Sequence, residues 1–214
     1  MIEPILPAGC VVAIGMKSEA ALLPPNTRIV VSGGDAQRLE ALLAALPGDV
    51  TAILSFGIAG GLAPGVATGD VLVASSLWEA GASLGVDLAW QARLMVRTAA
   101  RAAPLAASPI LIGTPTAKAA LHRGSAALAV DMESGAAARF AAARGIPFAA
   151  LRAVADGPDD TLPAAAAVGL HPDGSAAPLR VLAALLRNPG ELRALLHLAR
   201  ASMRAHAALR RALA

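Results

Sequence analysis

Short apolar runs recur along the chain, each bounded by glycine, proline, aspartate or serine. Such runs predict buried β-strands, because strands covered on both faces are apolar throughout. Segments with apolar residues at helical spacing lie between them. The predicted strands cover residues 11–14, 28–32, 52–56, 71–74, 110–112, 128–132 and 148–155, and the predicted helices cover residues 36–45, 88–102, 116–122, 135–144, 178–186 and 190–213.

The alternation of strands and helices indicates how the chain is organised. Apolar strands separated by helices predict an α/β fold with three layers, α/β/α, around a central mixed sheet. We predict a single domain over residues 1–214, in which residues 178–214 form a basic C-terminal helical extension.

Charge is distributed unevenly along the chain. From residue 171 onward, seven arginines stand against two acidic residues, whereas the first 170 residues carry eleven basic and thirteen acidic side chains. The last predicted helix also has an apolar face. Two interpretations remain open: a helix packed on the surface or at a dimer contact, and a basic amphipathic helix on an anionic membrane surface. The residues of that face are Leu192, Leu195, Leu196, Ala199, Met203 and His206.

Composition argues against several classes of protein. Three Phe, two Trp and no Tyr leave few platforms for base stacking, so no nucleic-acid partner is expected. The lone cysteine, Cys10, excludes an internal disulfide framework and predicts a buried thiol in a reducing compartment. The uncharged run over residues 50–69 is long enough to span a bilayer, but its six Gly and Pro residues favour a strand followed by a turn.

The remaining signals concern ligands and location. The four histidines are scattered, so neither a metal nor another cofactor is expected. The first residues lack the basic region of a signal peptide. We therefore predict a cytoplasmic protein, with peripheral contact at the inner membrane surface if the membrane interpretation of the last helix holds.

Acidic side chains follow several predicted strands at their carboxyl ends. Asp131 and Glu133 follow one strand and Asp156 follows another. Carboxylates are unfavourable to bury unless they are paired or used, and open α/β sheets bind ligands at this edge. These residues therefore mark a candidate site. Glu19, taken alone, is better explained as a solvated carboxylate at a helix start.

A glycine-rich segment over residues 55–62 follows the third predicted strand and predicts a sharp turn. A dinucleotide-binding loop needs glycines that open a helix. Here Pro64, Gly65 and Gly69 prevent a long helix, and no GxGxxG, GKS or GKT motif is present. Nucleotide phosphates are therefore not expected ligands, while a structural turn and a ligand-facing turn both remain open.

Four segments, residues 16–23, 57–70, 130–134 and 152–156, together resemble the nucleoside phosphorylase/nucleosidase family, specifically its methylthioadenosine/S-adenosylhomocysteine nucleosidase branch. They are similar to the acid-bearing loop after the branch's first strand, its AGGL…GD loop, its (E/D)-M-E motif and its R-A-(I/V)-S-D strand end. The resemblance runs from about residue 11 to residue 156. It implies a nucleoside phosphorylase-like fold and a homodimer.

The resemblance also implies roles for the matching residues. Glu19 would activate the attacking water, and Asp156 would be the general acid that protonates N7 of the departing adenine. Glu133 would bind the ribose hydroxyls. Breaking an N-glycosidic bond builds positive charge on the ribose, which carboxylates stabilise, and the purine leaves well once protonated. The implied substrate-binding residues are Ile58, Ala59, Gly60, Thr116, Ala117, Met132 and Glu133.

Two residues depart from the pattern of the branch. Ile58 replaces a serine before Ala-Gly-Gly, and Ala155 replaces a serine before the catalytic aspartate. The loss of two hydroxyls predicts a more apolar pocket. Phosphorylases of this fold hold phosphate with an arginine and a serine near this loop, where Ser55 and Ile58 stand. Water is therefore favoured over phosphate as the nucleophile.

A narrower resemblance, to the hopanoid-associated members of the family, includes residues 169–174 and the basic helical tail. It implies that adenosylhopane is converted to ribosylhopane and adenine in hopanoid biosynthesis. The expected partners are thus adenine and a nucleoside with an apolar 5′ group. The alternatives are a methylthioadenosine/S-adenosylhomocysteine nucleosidase or purine nucleoside phosphorylase, and a non-catalytic nucleoside-binding protein.

Overall fold

The computed structural model describes residues 4–214; residues 1–3, which the signal-peptide prediction includes, lie outside the described part. The strands are β1 (Cys10–Ile14), β2 (Arg28–Val31), β3 (Ala52–Gly61), β4 (Val71–Glu79), β5 (Ala82–Leu84), β6 (Arg101–Ala107), β7 (Ala129–Asp131) and β8 (Phe148–Asp156). The α-helices are α1 (Lys17–Ala20), α2 (Ala36–Ala44), α3 (Leu88–Thr98), α4 (Pro115–Ser125), α5 (Ser134–Arg144), α6 (Pro178–Arg187) and α7 (Leu192–Leu213).

The eight strands found within residues 4–214 belong to one sheet. Its main path runs β2-β1-β3-β7-β6-β4-β5, and β8 pairs with both β3 and β4. Five strands therefore close into a ring of paired strands: β3, β7, β6, β4 and β8. Strands β1 and β2 extend the sheet from β3, and β5 extends it from β4. Parallel and antiparallel pairs occur together. The predicted mixed sheet is confirmed.

Helices cover both faces of the sheet, which confirms the predicted three layers. On one face, leucines of α2 and alanines of α5 pack against the strands. On the other face, Trp90 and Leu94 of α3 lie with Ala205, Ala208 and Leu209 of α7. Alanine is small, so α5 and α7 approach the sheet closely. The predicted burial of the cysteine thiol is also confirmed: Cys10 lies buried in β1, and burial raises its pKa to about 12.

One predicted strand is wrong. Residues 110–112 form no strand, and Ile110 and Leu111 are exposed. A parallel neighbour of β4 is instead β6, which begins within the end of the second predicted helix, residues 88–102. Helix α3 stops at Ala99, whose φ of 51° is left-handed and ends the helical path. The alanine-rich β6 lacks the β-branched residues that mark most strands.

The packing face of α7 also differs from the prediction. The buried residues of this helix are Ala201, Ala205, Ala208 and Leu209. Leu192, Leu196 and Met203, on the predicted face, are exposed. The small alanines pack better against the sheet than the bulky leucines do, because they allow a shorter distance between the layers.

Candidate active site

The glycine-rich segment lies inside strand β3 and is not the predicted turn after a strand. β3 continues to Gly61 because β8 pairs with it along its length and β7 pairs with its end. Its glycines allow carboxylates to approach the backbone. A Cβ on Gly57, where φ is 149°, would overlap Glu19, and a Cβ on Gly60 would lie 3.2 Å from Asp156 Oδ2. The segment therefore faces the predicted acidic residues.

Glu19 is held rigidly against β3. Its Oε2 accepts hydrogen bonds from the N–H groups of Gly15 and Met16, and its Oε1 accepts one from Ile58, each at 2.9 Å. Only 2% of Glu19 is exposed, so the interpretation as a solvated helix-start carboxylate is wrong. Burial raises the pKa of Glu19, and the charge of Arg152 and the N–H donors oppose this rise.

Asp131 organises the turn between β7 and α5. Its Oδ1 accepts from the N–H groups of Glu133 (2.9 Å) and Ser134 (2.7 Å), and its Oδ2 accepts from Ser134 Oγ (2.6 Å). Arg152 of β8, which is fully buried, also donates to Oδ1 at 3.1 Å. Four donors thus satisfy Asp131, which gives this carboxylate a structural role in the turn.

Glu133 lies beside this pair but is less well satisfied. Ser32 Oγ donates to its Oε1 at 3.2 Å, and Arg152 Nη2 lies 3.6 Å from its Oε2. Burial raises the pKa of Glu133 to about 7, opposed by the charge of Arg152 and increased by the charges of Asp131 and Glu19. One arginine therefore faces several carboxylates, and Glu133 titrates near neutral pH.

A β-bulge near the end of β8 positions Asp156. Ala59 pairs with Val154, and Gly60 pairs with Asp156, so Ala155 is the extra residue on β8. Bulges break the regular alternation of a strand and re-aim the following side chain. Here Asp156 lines the same cavity as Glu19. Burial raises the pKa of Asp156, and its hydrogen bond from Lys118 opposes this.

Lys118 is a residue of the site that sequence reasoning missed. It lies on α4, is completely buried, and donates from Nζ to Asp156 Oδ2 at 2.5 Å. The available signal was a lysine within an otherwise apolar helical stretch, Ala117-Lys118-Ala119-Ala120-Leu121. Such a position buries an ammonium group, which requires strong partners.

The site residues meet at a cavity of about 350 Å³. Its polar end carries Glu19, Glu133 and Asp156 together with the predicted Ile58, Ala59, Gly60 and Met132. Thr116 and Ala117 are not among its lining residues; Thr116 is exposed in the first turn of α4. The opposite wall is mainly apolar, and comes from the segment after β8 and from α6 and α7. Its members are Leu162, Ala165, Ala166, Gly169, Leu170, Val181, Leu195, Leu198, Ala199 and Ser202.

Within residues 4–214, no cluster of three or more His, Cys, Asp or Glu side chains is arranged to hold a metal ion. No α-helix in the same part of the chain combines the length and apolar character needed to cross a membrane.

Comparison with known proteins identifies a family match. The family described as the phosphorylase superfamily matches residues 31–187 of this chain. No curated protein gives a significant match.

Solved structures give matches to the fold. The S-adenosylhomocysteine nucleosidase of Streptococcus pyogenes, in complex with 5-methylthiotubericidin, has a TM-score of 0.64 at 19% identity, over 95% of each chain. The 5′-methylthioadenosine/S-adenosylhomocysteine nucleosidase of Helicobacter pylori, with butyl-thio-DADMe-Immucillin-A, has a TM-score of 0.62 at 18% identity, over 70% of this chain and 85% of that one. A futalosine hydrolase mutant of the same organism has a TM-score of 0.58 at 16% identity, over 68% and 88%.

Proposed function

The chain belongs to the phosphorylase superfamily, and on that premise we propose that it is a nucleosidase that releases adenine from an adenosine with an apolar 5′ substituent. The observation that carries the proposal is the convergence of Glu19, Glu133 and Asp156 on one cavity whose other wall is apolar. Cleavage of an N-glycosidic bond needs such carboxyl groups, because positive charge develops on the ribose while the departing base requires a proton.

Each carboxylate has surroundings that suit one role. Asp156 lies at the end of β8 beside Gly60, and burial raises its pKa, which favours a general acid toward the base. Glu133 has two oxygens with few donors, which suits hydrogen bonds from ribose hydroxyls, and Met132 lines the cavity beside it. Glu19 is fixed by three N–H groups, so it can orient an attacking water molecule. Glu19 contacts β3 at Ile58, and Asp156 lies beside β3 at Gly60. These two positions are two residues apart, which corresponds to about 7 Å along the strand.

Water is the proposed nucleophile. Arg152 lies next to Ser55 and Gly57 and is fully buried; its Nη2 donates to Asp131, Ser55 and Ser134, whereas its Nε and Nη1 have no hydrogen-bond partner within residues 4–214. A phosphate dianion needs several free donors, and Arg152 is not among the residues that line the cavity. We expect the rate of adenine release to be the same with and without inorganic phosphate. Strict phosphate dependence would make the protein a phosphorylase.

The apolar wall supports a hydrophobic group on the 5′ carbon. Leu195, Leu198 and Val181 stand on this wall, and Ile58 and Ala155 supply apolar surface where the nucleosidase branch has serines. We propose adenosylhopane as the substrate, with ribosylhopane and adenine as products. A second candidate is the methylthioadenosine/S-adenosylhomocysteine nucleosidase reaction, which the names of two structural neighbours favour.

A comparison of substrates separates these candidates. Adenine release is measured from methylthioadenosine and from adenosines carrying progressively longer 5′-alkylthio chains. A lipid-like substrate predicts that kcat/KM rises with chain length, by up to about tenfold for each two methylene groups buried. Faster turnover of methylthioadenosine than of every longer analogue would favour the second candidate, and no release from any of them would contradict nucleosidase activity.

We also propose that α6 contacts an anionic membrane surface. Leu179, Leu182 and Leu186 repeat at spacings of three and four, and their exposed fractions are 80%, 53% and 77%. Arg180 and Arg187 are exposed on the same helix. An apolar stripe flanked by arginines suits an interface with anionic lipid, and Val181 of the same helix lines the cavity. A membrane-dissolved substrate would therefore reach the cavity next to the contact.

Liposome sedimentation tests this contact. Vesicles containing phosphatidylglycerol should bind the protein more strongly than vesicles of phosphatidylcholine alone, and Leu186→Asp should weaken that binding. Val96→Asp is the matched control, because Val96 is 85% exposed on α3. Equal binding by Leu186→Asp and the unmodified protein would contradict the contact.

The chain is also proposed to form a homodimer, a state that light scattering on a sizing column measures. If Leu186→Asp converts a dimer into a monomer, the leucines of α6 form a subunit contact and the membrane proposal fails.

A further inference from the structure

Lys118 is a fully buried lysine for which the proposed reaction has so far given no role. Its Nζ donates to Asp156 Oδ2 at 2.5 Å, to Gly157 O at 2.6 Å and to Asp160 O at 2.9 Å. An ammonium group has three donors, so all of them are satisfied. A buried charge is tolerated only when it is satisfied in this way.

All three acceptors of Lys118 lie at the end of β8 or in the turn that follows it. The lysine therefore fixes both the path of the backbone after Asp156 and the rotation of its carboxyl group. Asp156 Oδ2 accepts the hydrogen bond from Lys118, whereas Asp156 Oδ1 accepts no hydrogen bond from any residue in the described range 4–214. Asp156 lines the cavity, and Lys118 does not. The lysine thus lies behind the carboxylate, on the side away from the substrate.

We infer that Lys118 is a positioning residue for adenine release: it holds Asp156 by Oδ2 so that Oδ1 meets the base, and its positive charge sets the pH range over which Asp156 carries the proton. This inference rests on the proposed nucleosidase function. It assigns to α4 a part in the reaction that does not involve contact with the substrate.

The charges around Asp156 determine how strongly Lys118 acts. Burial raises the pKa of Asp156, the hydrogen bond and charge of Lys118 lower it, and the charge of Asp160 raises it. From α7, His197 Nε2 lies 3.7 Å from Asp160 Oδ1. Glu19 of α1 and Glu133 at the start of α5 line the same cavity. Among the groups around Asp156, Lys118 favours the ionised form by direct contact, so its loss should leave Asp156 protonated to a higher pH.

The test is the pH dependence of kcat/KM for adenine release. Lys118→Gln keeps a hydrogen-bond donor but removes the charge. In this variant the basic limb of the profile, where kcat/KM declines at high pH because Asp156 loses its proton, should move to higher pH by about one to three units. This is the range by which an adjacent cation lowers the pKa of an aspartate. The maximal rate should fall by about 10- to 100-fold, because the carboxylate is less well oriented. Lys118→Arg, which keeps the charge, should leave the limb within about half a pH unit of its original position and recover part of the rate.

Two further variants complete the experiment. Lys17→Gln removes the charge of an exposed lysine, which is paired with exposed Asp173, and should leave the profile unmoved. Asp160→Asn removes the nearby negative charge that raises the pKa of Asp156, and should therefore move the decline of kcat/KM at high pH to lower pH. This variant keeps the test informative if a substitution of buried Lys118 prevents folding.

The outcomes separate the two proposals. A rate that falls equally at every pH in Lys118→Gln, with the limb unmoved, would reduce Lys118 to a structural residue while leaving the nucleosidase function intact. An unmoved limb in Asp160→Asn would likewise overturn the electrostatic part of the inference. Failure of the unmodified protein to release adenine from any nucleoside would instead refute the proposed function, and this inference with it.

Discussion

Replacement of Glu133 by glutamine should make the protein more stable above neutral pH. Burial raises the pKa of Glu133 from its ordinary value of 4.5 to about 7 in the folded protein. When the pKa of an acid is higher in the folded than in the unfolded state, the free energy of unfolding of the protein falls as the pH rises from the unfolded-state pKa to the folded-state pKa. Each pH unit between the two corresponds to about 1.4 kcal/mol. The ionised Glu133 should therefore lower the free energy of unfolding by about 3 kcal/mol at pH 8.

Glu133→Gln removes this term while keeping the size of the side chain. Below about pH 4.5 the two proteins should have equal stability, because Glu133 is then neutral in both states. Near pH 8 the variant should unfold at a temperature higher by about 5–10 °C, although it should lose ribose binding. Thermal unfolding measured by circular dichroism from pH 4.5 to pH 8.5 tests this, with exposed Glu40→Gln as the control. A stability difference independent of pH would refute the reasoning.

Three further substitutions give distinct expectations. Asp156→Asn should lower kcat for adenine release by about 10²- to 10⁴-fold while nucleoside binding, measured calorimetrically, is retained; a loss below about threefold would exclude a general acid there. Glu19→Gln should lower kcat by about 100-fold or more, and an unchanged kcat would exclude it as the residue that activates water. Gly57→Ala should lower the melting temperature by about 5–15 °C, because its Cβ meets Glu19 and Arg152 at a left-handed φ. Gly48→Ala has open space around its Cβ, and a similar loss there would contradict this explanation.

The chain pattern predicted the strand ends that carry the acids. Glu133 and Asp156 follow runs that are apolar on both faces, and such runs become central strands whatever their neighbours in the fold. The continuation of β3 through Gly57, Gly60 and Gly61 was not predictable in this way. Glycine has a low strand propensity, and the strand persists because β8 and β7 provide backbone partners that are distant in sequence.

Contacts made by single side chains were the least predictable part of the site. Lys118 and Asp156 are 38 residues apart, and no local pattern requires them to meet. Glu19 looked solvated because a carboxylate at a helix start is usually exposed, and only the approach of Ile58 from β3 buries it. In α7 the leucines dominated the sequence signal, although the smaller alanines make the contact with the sheet.

The position of α7 has a consequence for how the protein is made. Chains emerge from the ribosome amino end first, so the sheet, complete at Asp156, is synthesised well before Leu192–Leu213. Until α7 emerges, one face of β8 and one wall of the cavity lack their cover. We expect a nascent chain stalled before α7 to be captured by chaperones and to be inactive. The onset of the proposed activity would then report that α7 has docked against the sheet.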